Sequence, residues 1–124
     1  MTSTQSSTGT STEITSIAEL EAVVGFPQPA VAEKVRPSPD PIDRVWLAHS
    51  PLCLVGTSDA EGRGDVSPKG DPAGRLAHVI DDHTLAIAER PGNRRVDGYR
   101  NILVNPHVGL IFLCLLYTSP SPRD

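Results

Sequence analysis

The segment Arg90-Pro91-Gly92-Asn93-Arg94-Arg95 concentrates positive charge where a strand gives way to a helix. The spacing predicts a helix from about Arg94 to Val104 with Asn93 as its N-cap. The first backbone N–H groups of such a helix lack intrahelical partners, and the dipole's positive end favours an anion there. Two arginines in that first turn oppose the dipole unless a phosphate sits between them and the backbone donors. Their guanidinium forks then add charge-assisted hydrogen bonds. A solvated basic turn accounts for the same residues, and spacing alone leaves both readings open.

A second group is Asp65-Val66-Ser67-Pro68-Lys69-Gly70-Asp71. Here a hydroxyl, an ammonium and a carboxylate crowd into a bend after a strand, with Pro68 and Gly70 restricting the backbone. Loops on a rigid sheet commonly carry binding groups. An ordinary polar turn is the alternative. The four histidines, His49, His78, His83 and His107, fall at no metal-ligand spacing, and no metal site is expected. His78 reads as a strand residue of the core or barrel lining. No GxSxG, phosphate-loop or GxGxxG motif is present, so hydrolase and dinucleotide-fold readings lack support.

The elements that must position these groups follow from periodicity. Ser16 to Glu19 reads as a capping box opening a helix to about Val24, with Gly25 able to take the left-handed closing conformation. Ala30 to Val35 reads as a further turn or two. Asp40-Pro41 starts another helix, on which Ile42, Val45, Trp46 and His49 form one stripe with Trp46 as core anchor. After Pro51 the period becomes two. Strands are expected over Leu52 to Thr57, Gly64 to Ser67 (stopped by Pro68), Arg75 to Ile80, Thr84 to Ala88 and Val108 to Leu113. On the third, Leu76, His78 and Ile80 share one face. Short strands with helices before and between them imply a mainly β, α+β domain: a small barrel with helical additions.

Composition sets the limits. The 124 residues suffice for one domain, and eleven basic against fifteen acidic residues give a net charge of -4, which argues against a nucleic-acid partner. No apolar run approaches the roughly 18 residues of a membrane span, and no secretory signal opens the chain, so no membrane partner is expected. Cys53 and Cys114 form no paired spacing, and a reducing cytoplasm with free thiols is the simplest compartment. Residues 1–15, rich in Ser and Thr, read as a disordered leader.

The stretches Val66–Pro72, Asp81–Ile87, Arg90–Arg95, Arg100–Ile102 and Asn105–Leu113, in that order and spacing, resemble the pyridoxamine 5′-phosphate oxidase-like family over roughly Ser16 to Leu113. The resemblance implies an FMN-binding split β-barrel, a homodimer with flavin at the subunit interface. By it, Asn93, Arg94 and Arg95 hold the FMN phosphate, while Ser67, Lys69 and Asp71 lie near the flavin ring or ribityl chain. It places neither Glu89 nor Arg90, and it names no catalytic residue.

Residues 114–124 depart from the family pattern and look like sequencing-adapter read-through. The domain is accordingly expected over 16–113, with an incomplete barrel lacking at least one strand after Leu113. The implied function is an FMN-dependent oxidoreductase acting on a small molecule, its redox chemistry drawn from the cofactor. A deazaflavin (F420) reductase, a non-catalytic flavin carrier, and a fragment that binds nothing are the alternatives.

Overall fold

The structure, a computed structural model, describes residues 12–92 and 95–114. Asn93, Arg94, the start of the expected leader and most of the expected tail lie outside the described residues. The chain divides into two units, the first ending at Arg36 and the second beginning at Pro37.

The first unit holds helices α1 (Ile17–Val24) and α2 (Pro29–Ala32). The Ser16 hydroxyl accepts the Glu19 N–H at 3.1 Å, so Ser16 is the N-cap expected. The Glu19 carboxylate, however, reaches one residue further back and accepts the Thr15 N–H at 2.9 Å. Gly25 closes the helix at φ +82°, a backbone angle that a side chain would strain.

The second unit begins with α3 (Pro41–His49), followed by β1 (Leu52–Ser58), β2 (Gly64–Gly70), β3 (Ala77–Asp81), β4 (Thr84–Ile87), α4 (Asp97–Val104) and β5 (Gly109–Leu113). Asp40 and Asp43 cap α3 reciprocally, each carboxylate taking the other residue's N–H, at 2.7 and 3.0 Å. The expected stripe on α3 is corrected. Ile42 and Val45 are exposed, and Trp46 with Leu47 turns inward, half-buried. Trp46 does anchor: its indole N–H donates to the Phe112 carbonyl on β5 at 3.0 Å.

The strands form two antiparallel sheets, β2-β1-β5 and β3-β4, and no closed barrel is present among the described residues. β1 is central, pairing Val55 with Ser67 on one side and with Leu110 on the other. β2 runs on to Gly70 rather than stopping at Pro68, because it is an edge strand. An edge tolerates proline, since half of its N–H groups face away from the sheet. In β3 the inward side is also corrected: Ala77 and Val79 turn in, His78 and Ile80 turn out, and Leu76 is buried just before the strand begins. Asp81 turns the β3-β4 hairpin by accepting the His83 N–H at 2.8 Å.

The buried residues are few: Cys53, Leu76 and Ala77, with Ser50 and Thr57, among the described residues. Burial pushes the Cys53 thiol pKa up, which keeps the sulfur protonated and unreactive. β2 inverts the usual alternation. Asp65, Ser67 and Lys69 are half-buried while Val66 and Pro68 are exposed. On α4, Asn101 and Ile102 turn in, as does the C-cap Asn105, while Leu103 is 85% exposed. β2 thus turns polar side chains inward, while Asn101 and Asn105 turn toward Thr57 and Ser58 of β1.

Candidate functional site

Between β2 and the start of α4 lies a cleft of about 830 Å³, lined by Val55, Ser67 and Lys69 from the sheet, Ala88 to Gly92 after β4, and Arg95 to Tyr99 with Ile102 around the start of α4. Its size falls in the range of roughly 300–1,000 Å³ typical of small-molecule and cofactor sites. Val55, Ala88 and Ile102 supply apolar wall; the polar groups come from β2 and from the segment between β4 and α4.

α4 begins at Asp97, three positions later than Arg94, so Asp97 and not an arginine occupies its first turn. This arrangement suits the dipole, because an acidic residue belongs there. The expectation of two unneutralised arginines in a first turn is therefore corrected for Arg95, which precedes the helix and pairs with Asp97 at 2.8 Å. Both partners are largely solvent-exposed, at 74% and 43%, and such a pair is worth only about 0.2–1 kcal/mol. It is easily exchanged for a better anion. The N-cap position itself is Val96, at φ 50° and ψ 36°, a left-handed conformation rare for a β-branched residue.

Of the six residues singled out from sequence, Ser67, Lys69 and Arg95 line the cleft. Asp71 does not. Its carboxylate, 8% exposed, accepts both the Nε (3.3 Å) and a terminal nitrogen (2.8 Å) of Arg90, and so holds Arg90 at the cleft's edge. That carboxylate raises the Arg90 pKa further, fixing its charge. Asn93 and Arg94 lie outside the described residues.

Two cleft residues escaped the sequence reading. Glu89 receives the Lys69 ammonium at 3.2 and 3.3 Å and the Tyr99 hydroxyl in a short hydrogen bond. The ammonium also stands 5.0 Å above the centre of the Tyr99 ring, within cation–π range. The Tyr99 hydrogen bond, with the Lys69 charge beside it, holds the Glu89 carboxyl pKa below the ordinary range. Burial, reinforced by Glu89, pushes the Tyr99 pKa up to about 12. One signal could have found them: three polar residues alternating on a strand need polar partners opposite. Among the described residues no group of three or more His, Cys, Asp or Glu could hold a metal ion.

Among the described residues, an α+β domain with two small antiparallel sheets and a cleft lined by both polar and apolar side chains is the class of protein the geometry defines. The family model described as pyridoxamine 5′-phosphate oxidase matches residues 42–118. The chain belongs to that family, whose members typically bind flavin. The matched range overlaps the expected tail at 114–118. No curated protein and no solved structure gives a significant match. Among the described residues, no helix is long and apolar enough to cross a membrane.

Proposed function

We propose that the chain is an FMN-binding member of this family on a split-barrel scaffold, acting as a flavin-dependent oxidoreductase of a small molecule, and that it works as a homodimer. The observation that carries the reading is the cleft of about 830 Å³ in which Lys69 and Arg95 border an apolar wall of Val55, Ala88 and Ile102. These residues fit the cofactor's two halves, a flat aromatic ring and a charged phosphate. Bound FMN supplies the electron transfer; the protein's part is to bind, orient and shield it.

In this reading Arg95 leaves the weak Asp97 pair to meet the phosphate, with Asn93 and Arg94 as the further phosphate residues the family resemblance implies. Ser67 and Lys69 face the ring or ribityl chain from β2, while Asp71 acts from behind by steadying Arg90. The apolar outer face of the larger sheet, where Val66 and Ile111 are 67% and 58% exposed, is the kind of surface a second copy covers.

Fluorescence titration of FMN tests the reading. Charged hydrogen bonds are worth about 1.5–3 kcal/mol each, so Arg94→Ala with Arg95→Ala should weaken binding about a hundredfold or more. A change of less than about threefold would remove the phosphate assignment. The same titration with the deazaflavin cofactor decides between the two flavin types, and bleaching by NAD(P)H separates an enzyme from a carrier.

A further inference from the structure

Lys69, Glu89 and Tyr99 come from three different elements: the end of β2, the segment after β4, and the first turn of α4. They meet at one carboxylate. Lys69 uses both Glu89 oxygens, Tyr99 donates its hydroxyl to one of them, and the ammonium lies over the Tyr99 ring. Lys69 is 21% exposed while Glu89 is 45% exposed, so the ammonium is the more enclosed partner. A lysine side chain has four rotatable bonds and does not hold one direction unaided. Here the ring beneath it and the carboxylate beside it restrict it from two sides.

We propose that Glu89 is a positioning residue of the cleft: one carboxylate that sets the Lys69 ammonium and the Tyr99 hydroxyl together against the space a flavin occupies. This rests on the flavin reading above. Glu89 acts through Lys69 and Tyr99. Its removal leaves the ammonium charged but unaimed, so the lysine's contribution to ligand binding depends on the glutamate.

The experiment is a double-mutant cycle on the full chain, with FMN as probe. Lys69→Met should weaken FMN binding about tenfold or more in the wild-type background but less than about threefold beside Glu89→Ala. Glu89→Ala alone should weaken binding more than about threefold, and Glu89→Asp should recover part of that loss. Losses that add independently, or a Glu89→Ala change within about threefold, overturn the proposal. If Glu89→Ala does not fold, Glu89→Gln takes its place in the cycle, keeping the shape and losing the charge. An independent readout needs no cofactor: titration of tyrosinate absorbance. Tyr99 ionises late, with a pKa of about 12, and Tyr117 is the only other tyrosine. Glu89→Ala should bring the late phase down toward the ordinary range. A wild-type chain that binds no FMN overturns the flavin reading and leaves this titration to decide on Glu89. A late phase unmoved by the substitution then overturns the positioning role, and a late phase that moves sustains it.

Discussion

Asn101 on α4 donates its side-chain amide to the Thr57 hydroxyl on β1 at 3.0 Å, joining residues 44 positions apart. One turn on, Asn105 repeats the contact with Ser58 at 2.8 Å. α4 is thus fastened to the sheet by two amide–hydroxyl bonds while its apolar Leu103 and Val104 face outward. Thr57 is only 7% exposed, so water cannot readily replace a lost partner. Asn101→Ala should cost about 1 kcal/mol, and Asn105→Ala a similar amount. Chemical denaturation checks this as a fall in midpoint at unchanged slope. Equal midpoints for wild type and both variants would show that α4 is held by something else.

Val96 holds a left-handed conformation directly before α4. A non-glycine residue there is strained by about 1–2 kcal/mol. Val96→Gly should therefore raise stability by about 1 kcal/mol, the relief of strain outweighing the extra freedom glycine brings to the unfolded chain. A thermal melt that falls on this substitution would mean that the Val96 side chain contributes more by packing than its backbone costs.

Tyr99 ties stability to alkaline pH. Its folded pKa, about 12, lies above the ordinary tyrosine value of about 10, so the folded state keeps the phenolic proton longer than the unfolded chain does. The stability this confers is fully present below pH about 10 and is lost as pH rises toward about 12. Melting curves across that window should fall more steeply for wild type than for Tyr99→Phe. Parallel curves would dissociate Tyr99 from alkaline unfolding. Glu89 works at the other end: its carboxyl is held below the ordinary range, so its contribution disappears as pH falls through that lowered value.

Ser50, fully buried, places its hydroxyl 2.9 Å from the Leu52 carbonyl and 2.6 Å from that of Leu113. A hydroxyl has one proton, so it satisfies one carbonyl at a time. It joins the beginning of β1 to the end of β5. Ser50→Ala should cost about 1–3 kcal/mol, the penalty of a buried acceptor left without its donor. Hydrogen exchange should rise selectively at the paired ends of β1 and β5. Uniform protection in the variant would contradict this role.

Much of the scaffold was legible in sequence because its signals are local. Asp40-Pro41 announces α3 by capping chemistry alone, and Leu52 to Thr57 reads as a strand from its apolar run. The errors lie where tertiary context decides. Pro68 looks like a stop until β2 is known to be an edge, and Ile42 and Val45 look like a core stripe until Trp46 is seen bonding β5. Arg95 looks like a first-turn residue until the helix is seen to begin at Asp97. Ser67, Lys69 and Arg95 do reach the cleft. Glu89 was not placed because its role depends on Lys69 and Tyr99, twenty and ten positions away.

The inverted alternation of β2 bears on how the chain finds its fold. A slip of one position against β1 would turn Val66 and Pro68 inward and send Asp65, Ser67 and Lys69 to solvent. Burying a valine is worth about 1.5–3 kcal/mol, so apolar burial by itself favours the slipped pairing. Opposing it are polar contacts that exist only in the native register, chief among them Lys69 with Glu89. The slipped hairpin is therefore a competitor during folding, and hydrophobic collapse alone does not select against it. A ligand that binds the cleft recognises one register only, and by mass action it draws the population toward that register. A cofactor bound in the cleft as proposed would thus also act as a template for the strand that receives it.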